Sequence, residues 1–200
     1  MSDYAAAVFL PALARRVGRA APAVTLAARH TSHVAGIGML DADEAELVVG
    51  NFPEPPQRLE IELLYREGFL CALRAGHPAL AGTFELDAYP SCSHLNVSLG
   101  GEPTGYVDRV LARSRRRRRV ALTAGHFLVA PDLAAATDLV ATEPERVLRP
   151  AAGRLGLELR EAPFRIPTFE VVQMWPRRLS TDAGHAWLRD QVRAAGTSPD

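Results

Sequence analysis

Two histidines and a cysteine are the residues whose types and spacing invite chemistry. Cys92 and His94 stand two apart in SCSHLNVS. On a strand they share a face, the arrangement of a thiol nucleophile beside its base. No orienting acid and no oxyanion element accompany them, so an enzyme is not expected. His126 follows a glycine in ALTAGHF. Neither His94 nor His126 has a carboxylate or a cysteine at metal-ligand spacing. Three alternatives stand for each: contact with an acidic ligand, a core histidine with one hydrogen bond, or a metal ligand. No metal and no cofactor are assigned. Phe52, after ELVVG, is either the wall of a ligand site or core. His77, before Pro78, is read as a turn residue, and His185 as solvent-facing on the last helix.

The run of arginines at 115–119 suggests a phosphate or nucleic-acid patch. The whole chain carries 23 basic and 23 acidic residues, a formal net charge of zero, and every basic residue is Arg. No aromatic residue interleaves the run. It is therefore read as a helix end running into a strand, with its guanidiniums solvated and favoured by the helix dipole. The two cysteines are too few for a disulfide framework and are expected to be reduced. No apolar run reaches the roughly 18 residues of a membrane helix, and no signal peptide opens the chain. The expected location is cytoplasmic.

The elements that must position these residues start with 120–147, which reads as strand, helix, strand. That is the parallel crossover unit. Ligands of open α/β sheets sit outside the carboxyl ends of such strands, and here that end carries Thr123, Gly125, His126 and Phe127. Upstream, Ser2–Asp3 signals an N-cap for a helix over 4–19, which Pro11 should kink or shift. Residues 24–28 alternate as a strand. Thr31 or Ser32 caps a glycine-weakened helix near 34–41. Strands are expected at 46–50, 59–65, 68–74 and 94–97, helices at 106–113 and 146–152, and extended chain at 155–160 and 164–166. A strand at 169–175 and a helix at 181–194 close the chain. The strands near 69–73 and 170–175 look like crossings between two α/β lobes. The first lobe would be 1–73 plus 172–200 and the second 74–171, with a small-molecule cleft between them.

The segments SDYAAAVFLPALARRVGRAAPAV, LDADEAELVVGNF, FLCALRAGHPAL, SHLNVS, RRVALTAGHFLVAPDLAAATDLVATEPERV and MWPRRLSTDAGHAWLRDQV, in this order, resemble the effector-binding domain of LysR-type transcriptional regulators. The W-x-x-R…D…H-x-W-L-R ending and the HF…TDL-x-AT-x-P segment are similar to the branch that answers aromatic acids and flavonoid-like inducers. The resemblance implies an α/β, two-lobed, type 2 periplasmic-binding-protein fold. It implies a small, aromatic acid inducer held between the lobes, and a homodimer formed through the first helix and residues 24–28. Carried over residue by residue, it places ligand contacts at Ser2, Thr31, Ser32, Phe52, His94, His126 and Phe127. The family's DNA-binding winged helix-turn-helix and the strand before the SDY segment are not matched. Direct DNA contact by this chain is therefore not expected. A stand-alone protein that dimerises with, or titrates, a full-length relative is the alternative.

Overall fold

The computed structural model describes residues 1–196; residues 197–200 of the expected first lobe lie outside the described residues. In chain order the elements are α1 (Asp3–Ala20), α2 (His33–Asp41), β1 (Val48–Gly50), β2 (Leu59–Glu67), β3 (Phe69–Arg74), β4 (Ser93–Val97), α3 (Tyr106–Arg113), β5 (Arg119–Ala124), α4 (Ala130–Ala136), β6 (Leu139–Pro144), α5 (Glu145–Leu155), β7 (Leu157–Arg160), β8 (Phe169–Pro176) and α6 (Ala183–Gly196). The chain divides into two compact units, Met1–Arg66 with Phe169–Asp200, and Glu67–Thr168. β3 thus lies wholly inside the second unit. Among the described residues, no helix is long and apolar enough to cross a membrane.

In the first unit, Ser2 caps α1 by accepting a hydrogen bond from the Ala5 amide. Ala5, Phe9, Ala12, Leu13 and Val17 then recur at helical spacing and are buried. The helix runs unbroken through Pro11, so the expected shift of its start does not occur. α1 packs against α6, and the Phe9 ring stacks on Tyr65 at 5.9 Å. The sheet has the order β1–β8–β2. β1 and β8 are antiparallel, with Val48 opposite Met174 and Gly50 opposite Val172. Val48, Val172 and Met174 join Leu40 of α2, Phe52 and Leu59 in one core cluster.

Residues 24–28 belong to no sheet, a correction to the strand expected there. Their alternation supplies β propensity, but a strand exists only where a neighbour takes its backbone bonds. β1 is the edge of its sheet and pairs only with β8.

The second unit is a five-stranded sheet, β5–β4–β6–β3–β7. β4 is parallel to both β5 and β6, and β3 is antiparallel to β6 and β7. The strand–helix–strand unit of the sequence is present as β5, α4 and β6, with β4 between its two strands. Period-two alternation along β3 feeds two cores. Leu70 and Ala72 face Leu95, Ala141 and the helices α4 and α5. Cys71 and Leu73 face Tyr89, Val107 and Leu111 on the other side. Gly156 ends α5 at φ 65°, the left-handed turn that returns the chain into β7.

Phe9 is fully buried. Replacing it with Ala is expected to cost about 3–5 kcal/mol, from lost burial and the cavity left behind. Urea unfolding of Phe9→Ala against the parent measures it, and a loss below about 1 kcal/mol would show that α1 is not anchored by this ring.

Candidate functional site

In the first unit, the starts of α1 and α2 lie side by side. The Thr31 amide donates to the Met1 carbonyl at 3.0 Å, and the Met1 ammonium donates to the Arg29 carbonyl at 3.1 Å. Ser2 and Ser32 are the N-caps, accepting from the Ala5 and Ala35 amides at 3.4 and 3.3 Å. As acceptors in these bonds, both hydroxyls keep their own hydrogens to donate. The Thr31 hydroxyl donates to the Ser32 carbonyl at 3.2 Å, and Thr31 is buried. Two helix N-termini at adjacent backbone positions combine their positive ends, which favours an anion. Phe52 is 7% exposed and packs among Leu40, Val48, Leu59, Val172 and Met174.

In the second unit, β4 and β5 end together: Thr123 stands opposite Asn96 and Ala124 opposite Val97. The Ser98 amide donates to the Ala124 carbonyl at 2.9 Å. The chain then turns at Gly125 into a short 3₁₀ segment, Phe127–Val129, with an exposed, extended His126 before it. His126 and Phe127 therefore stand outside the carboxyl ends of two parallel strands.

His94 lies elsewhere in that unit, with no exposed surface. Its Nε2 donates to the Tyr89 carbonyl at 2.7 Å, and its ring lies 4.3 Å from that of Tyr89. The Tyr89 hydroxyl bonds the Thr142 hydroxyl at 2.7 Å, and Cys71 Sγ lies 3.4 Å from the same oxygen. Arg118 completes a buried polar seam. It reaches both oxygens of Asp108 at 2.9 and 3.0 Å and the Asn96 carbonyl oxygen at 3.4 Å. Asp108 also accepts from the Gly105 amide at 2.8 Å, which caps α3. A Cβ at Gly105 would collide with the Asn96 side chain, so a larger residue there would have to displace Asn96 from Arg118. Among the described residues, His94 Nδ1 and Arg118 Nη1 have no hydrogen-bond partner. The Tyr89 hydroxyl is close enough to the guanidinium to feel its charge, without a well-formed bond to Nη1.

Burial sets the titration of this seam. It pushes the His94 imidazole down to about 4 and the Cys71 thiol up to about 12. It also raises the Tyr89 phenol. For Asp108, burial pushes upward, but the Arg118 pair and the Gly105 amide outweigh it and hold the carboxyl below its usual range. Cys92 donates to the Ala88 carbonyl, and burial raises its thiol, the opposite of thiolate activation. With His94 Nε2 committed to Tyr89, the Cys92–His94 spacing forms no nucleophile–base pair.

Two expectations are corrected. The 115–119 run is not solvated throughout, because the Arg118 side chain is 1% exposed in its pair with Asp108. His185 does not face solvent. It is buried, its Nδ1 accepts from Arg189 Nη1, and its Nε2 donates to the Glu46 carbonyl at 3.0 Å. Arg189 lies 4.4 Å over the Trp175 ring, and Asp182 caps α6 through the His185 amide. The chain's closing motif is thus a packing device of the first unit. His77, as expected, serves a turn: its Nδ1 accepts from the Ala79 amide.

The seam makes two testable statements. Arg118→Met leaves Asp108 partly buried without its cation and is expected to cost about 3–5 kcal/mol; urea unfolding at neutral pH reads it, and a loss under about 1 kcal/mol would contradict the pairing. His94 has a folded pKa below its unfolded value near 6.5, so the unfolded chain binds the proton more readily between those values. Its contribution is complete above about pH 6.5 and is lost as pH falls toward 4, about 3 kcal/mol in all. His94→Gln keeps an amide donor for the Tyr89 carbonyl but does not titrate. Its unfolding free energy should therefore fall less steeply over that range, and an unchanged slope would place the acid sensitivity elsewhere.

Comparison with known proteins converges on one family. The model of the LysR substrate binding domain matches residues 1–197. The chain is 31% identical over 203 residues to the HTH-type transcriptional regulator SyrM of Rhizobium meliloti (strain 1021), covering 99% of this chain and 61% of that protein. It is 25% identical over 189 residues to the HTH-type transcriptional activator NagR of Ralstonia sp, covering 94% and 63%. It thus spans about three-fifths of the length of these curated relatives. Among solved structures, the regulatory domain of MexT, a transcriptional activator in Pseudomonas aeruginosa, superposes with a TM-score of 0.86 at 27% identity, covering 97% of this chain and 94% of that one. The fold is the type 2 periplasmic-binding-protein type, and the chain belongs to the LysR substrate-binding domain family.

Proposed function

We propose that this chain is the effector-sensing part of a LysR-type transcriptional regulator, that it takes a small aromatic acid, and that it works as a homodimer through α1 and residues 24–28. The observation that carries the ligand class is the paired start of α1 and α2, held together by the Thr31–Met1 backbone bond. A carboxylate there would take hydrogen bonds from Ser2 and Ser32 beside Thr31 and meet the positive ends of both helices. The ring of the acid would lie against Phe52 and Phe127, and His126 would donate to it from the turn after β5. His94 enters this set from behind: buried at the start of β4, it braces the Tyr89 carbonyl, on the strand beside β5, which leads to His126. Binding can shift the dimer only by its differential affinity for the two states.

A thermal-shift titration with a panel of aromatic acids, on the parent and on His126→Ala, tests the proposal. At about 100 times the dissociation constant, a ligand should add about 2.7 kcal/mol of stability. The shift should shrink in His126→Ala. If no aromatic acid moves the melting point, the ligand class is wrong. If the shift survives His126→Ala unchanged, the site lies elsewhere.

A further inference from the structure

We propose that one corner of the second unit, from α3 to the start of β5, holds the phosphate backbone of a nucleic-acid duplex without reading its sequence. Seven arginines fall between residues 109 and 119. Two have carboxylate partners: Arg116 pairs with Asp87 at 2.8 Å and Arg118 with Asp108 at 2.9 Å. The other five, Arg109, Arg113, Arg115, Arg117 and Arg119, are exposed. Among the described residues they have no ion pair, because the nearby acids Asp87 and Asp108 are taken. Arg109 lies 5.8 Å over the Tyr106 ring, and Arg119 donates to the Ser93 hydroxyl at 2.8 Å. Both contacts are with neutral groups and leave the charges uncompensated.

The fold explains these arginines only in part. The negative end of the α3 dipole favours Arg113, the basic residue of its last turn. Arg109 stands one turn back, at the i, i+4 spacing where like charges destabilise a helix. Arg115 follows the C-cap Ser114 at φ 55°, in the left-handed region that favours glycine. Its guanidinium has no hydrogen-bond or ion-pair partner among the described residues. Strain and mutual repulsion are thus kept at positions that hold nothing inside the chain. An external polyanion would relieve the repulsion. The corner lies at the amino end of β5, about 17 Å from its carboxyl end at 3.3 Å per residue. It is therefore separate from the proposed contact at His126.

The chemistry of the corner favours a duplex backbone. Guanidinium forks match the paired oxygens of a phosphate. No large apolar side chain is exposed between residues 105 and 119, so the corner lacks the apolar anchor of a protein–protein interface. It also lacks the apolar face of a membrane-surface helix. The aromatic ring in this stretch, Tyr106, is stacked on Phe69 and is not offered to unpaired bases, as a single-strand platform would require. The outside of a duplex needs only the cations, and neutralising its phosphates releases counterions. Contact of this kind needs no recognition helix and carries no sequence preference.

The test is fluorescence anisotropy of a short labelled DNA duplex of mixed sequence, titrated with the whole chain at several salt concentrations. Saturable binding is expected at low salt. The logarithm of affinity should fall against the logarithm of salt with a slope of about −4 to −5 if five phosphates are neutralised. The double variant Arg113→Gln, Arg117→Gln should bind about tenfold more weakly and lose about 2 from that slope. The double variant Arg149→Gln, Arg154→Gln removes the same charge from α5 of the same unit and should keep the parent's slope. All four positions are exposed, and the thermal shift given by aromatic acids should survive in both variants. A duplex of shuffled sequence should bind equally well. The proposal is overturned by no saturable binding, by an unchanged slope in the first variant, or by equal loss in the second. It is also overturned by tighter binding to polyglutamate or to phosphatidylserine vesicles than to the duplex, which would assign the corner to an acidic protein segment or to a lipid surface.

Discussion

The second unit depends on one constraint: a guanidinium taken out of water must find a carboxylate. Arg118, at 1% side-chain exposure, finds Asp108, and the pair ties three elements together. Asp108 belongs to α3 and closes its first turn on Gly105. Asn96, which also meets Arg118, belongs to β4. Arg118 itself is the residue before β5. Breaking such a pair is far more costly than never having made it, because one partner is left charged and buried. The interaction thus sets where β5 begins relative to β4. The parallel ladder, which shifts by one residue between His94 and Leu95, then leads to the turn holding His126 and Phe127.

The first unit solves a different problem. Its sheet is small, and much of its burial comes from α1, α6 and their aromatic contacts with Tyr65 and Phe169. The closing motif holds α6 down, with Arg189 over Trp175 and His185 on the Glu46 carbonyl just before β1. On this frame, the bonds of Met1 to Thr31 and to Arg29 bring two helix starts together. The sensing proposal rests on that convergence, because a carboxylate gains from the dipoles and cap hydroxyls of both helices at once.

Most elements were legible in the sequence because their local signals agree with their burial. The Ser2 cap and the 3.6-residue stripe announce α1, and the apolar runs flanking Gly125 announce β5 and β6. Residues 24–28 show where local pattern fails: alternation is a property of the segment, but a strand is a property of a pair. The seam was hidden for a related reason. Five arginines in a row look alike in sequence, and only the packing of α3 against β4 and β5 selects Arg118 for burial. Gly105 and Asp108 did carry a readable signal, the N-cap and N3 spacing of a capping box. His185 was misread because its helix is amphipathic in two senses, with Leu188 and Val192 flanking a polar stripe of His185 and Arg189 that turns inward to a backbone carbonyl.

The central proposal is that the paired starts of α1 and α2 hold an aromatic acid. Backbone amide chemical-shift mapping of the nitrogen-labelled chain, titrated with benzoate as the probe, tests it most directly. The account predicts saturable shifts with one common affinity at Ser2, Thr31 and Ser32, while residues 15–20 of α1 stay silent. No shift at Ser2, Thr31 and Ser32, or shifts strongest around residues 15–20, would contradict it.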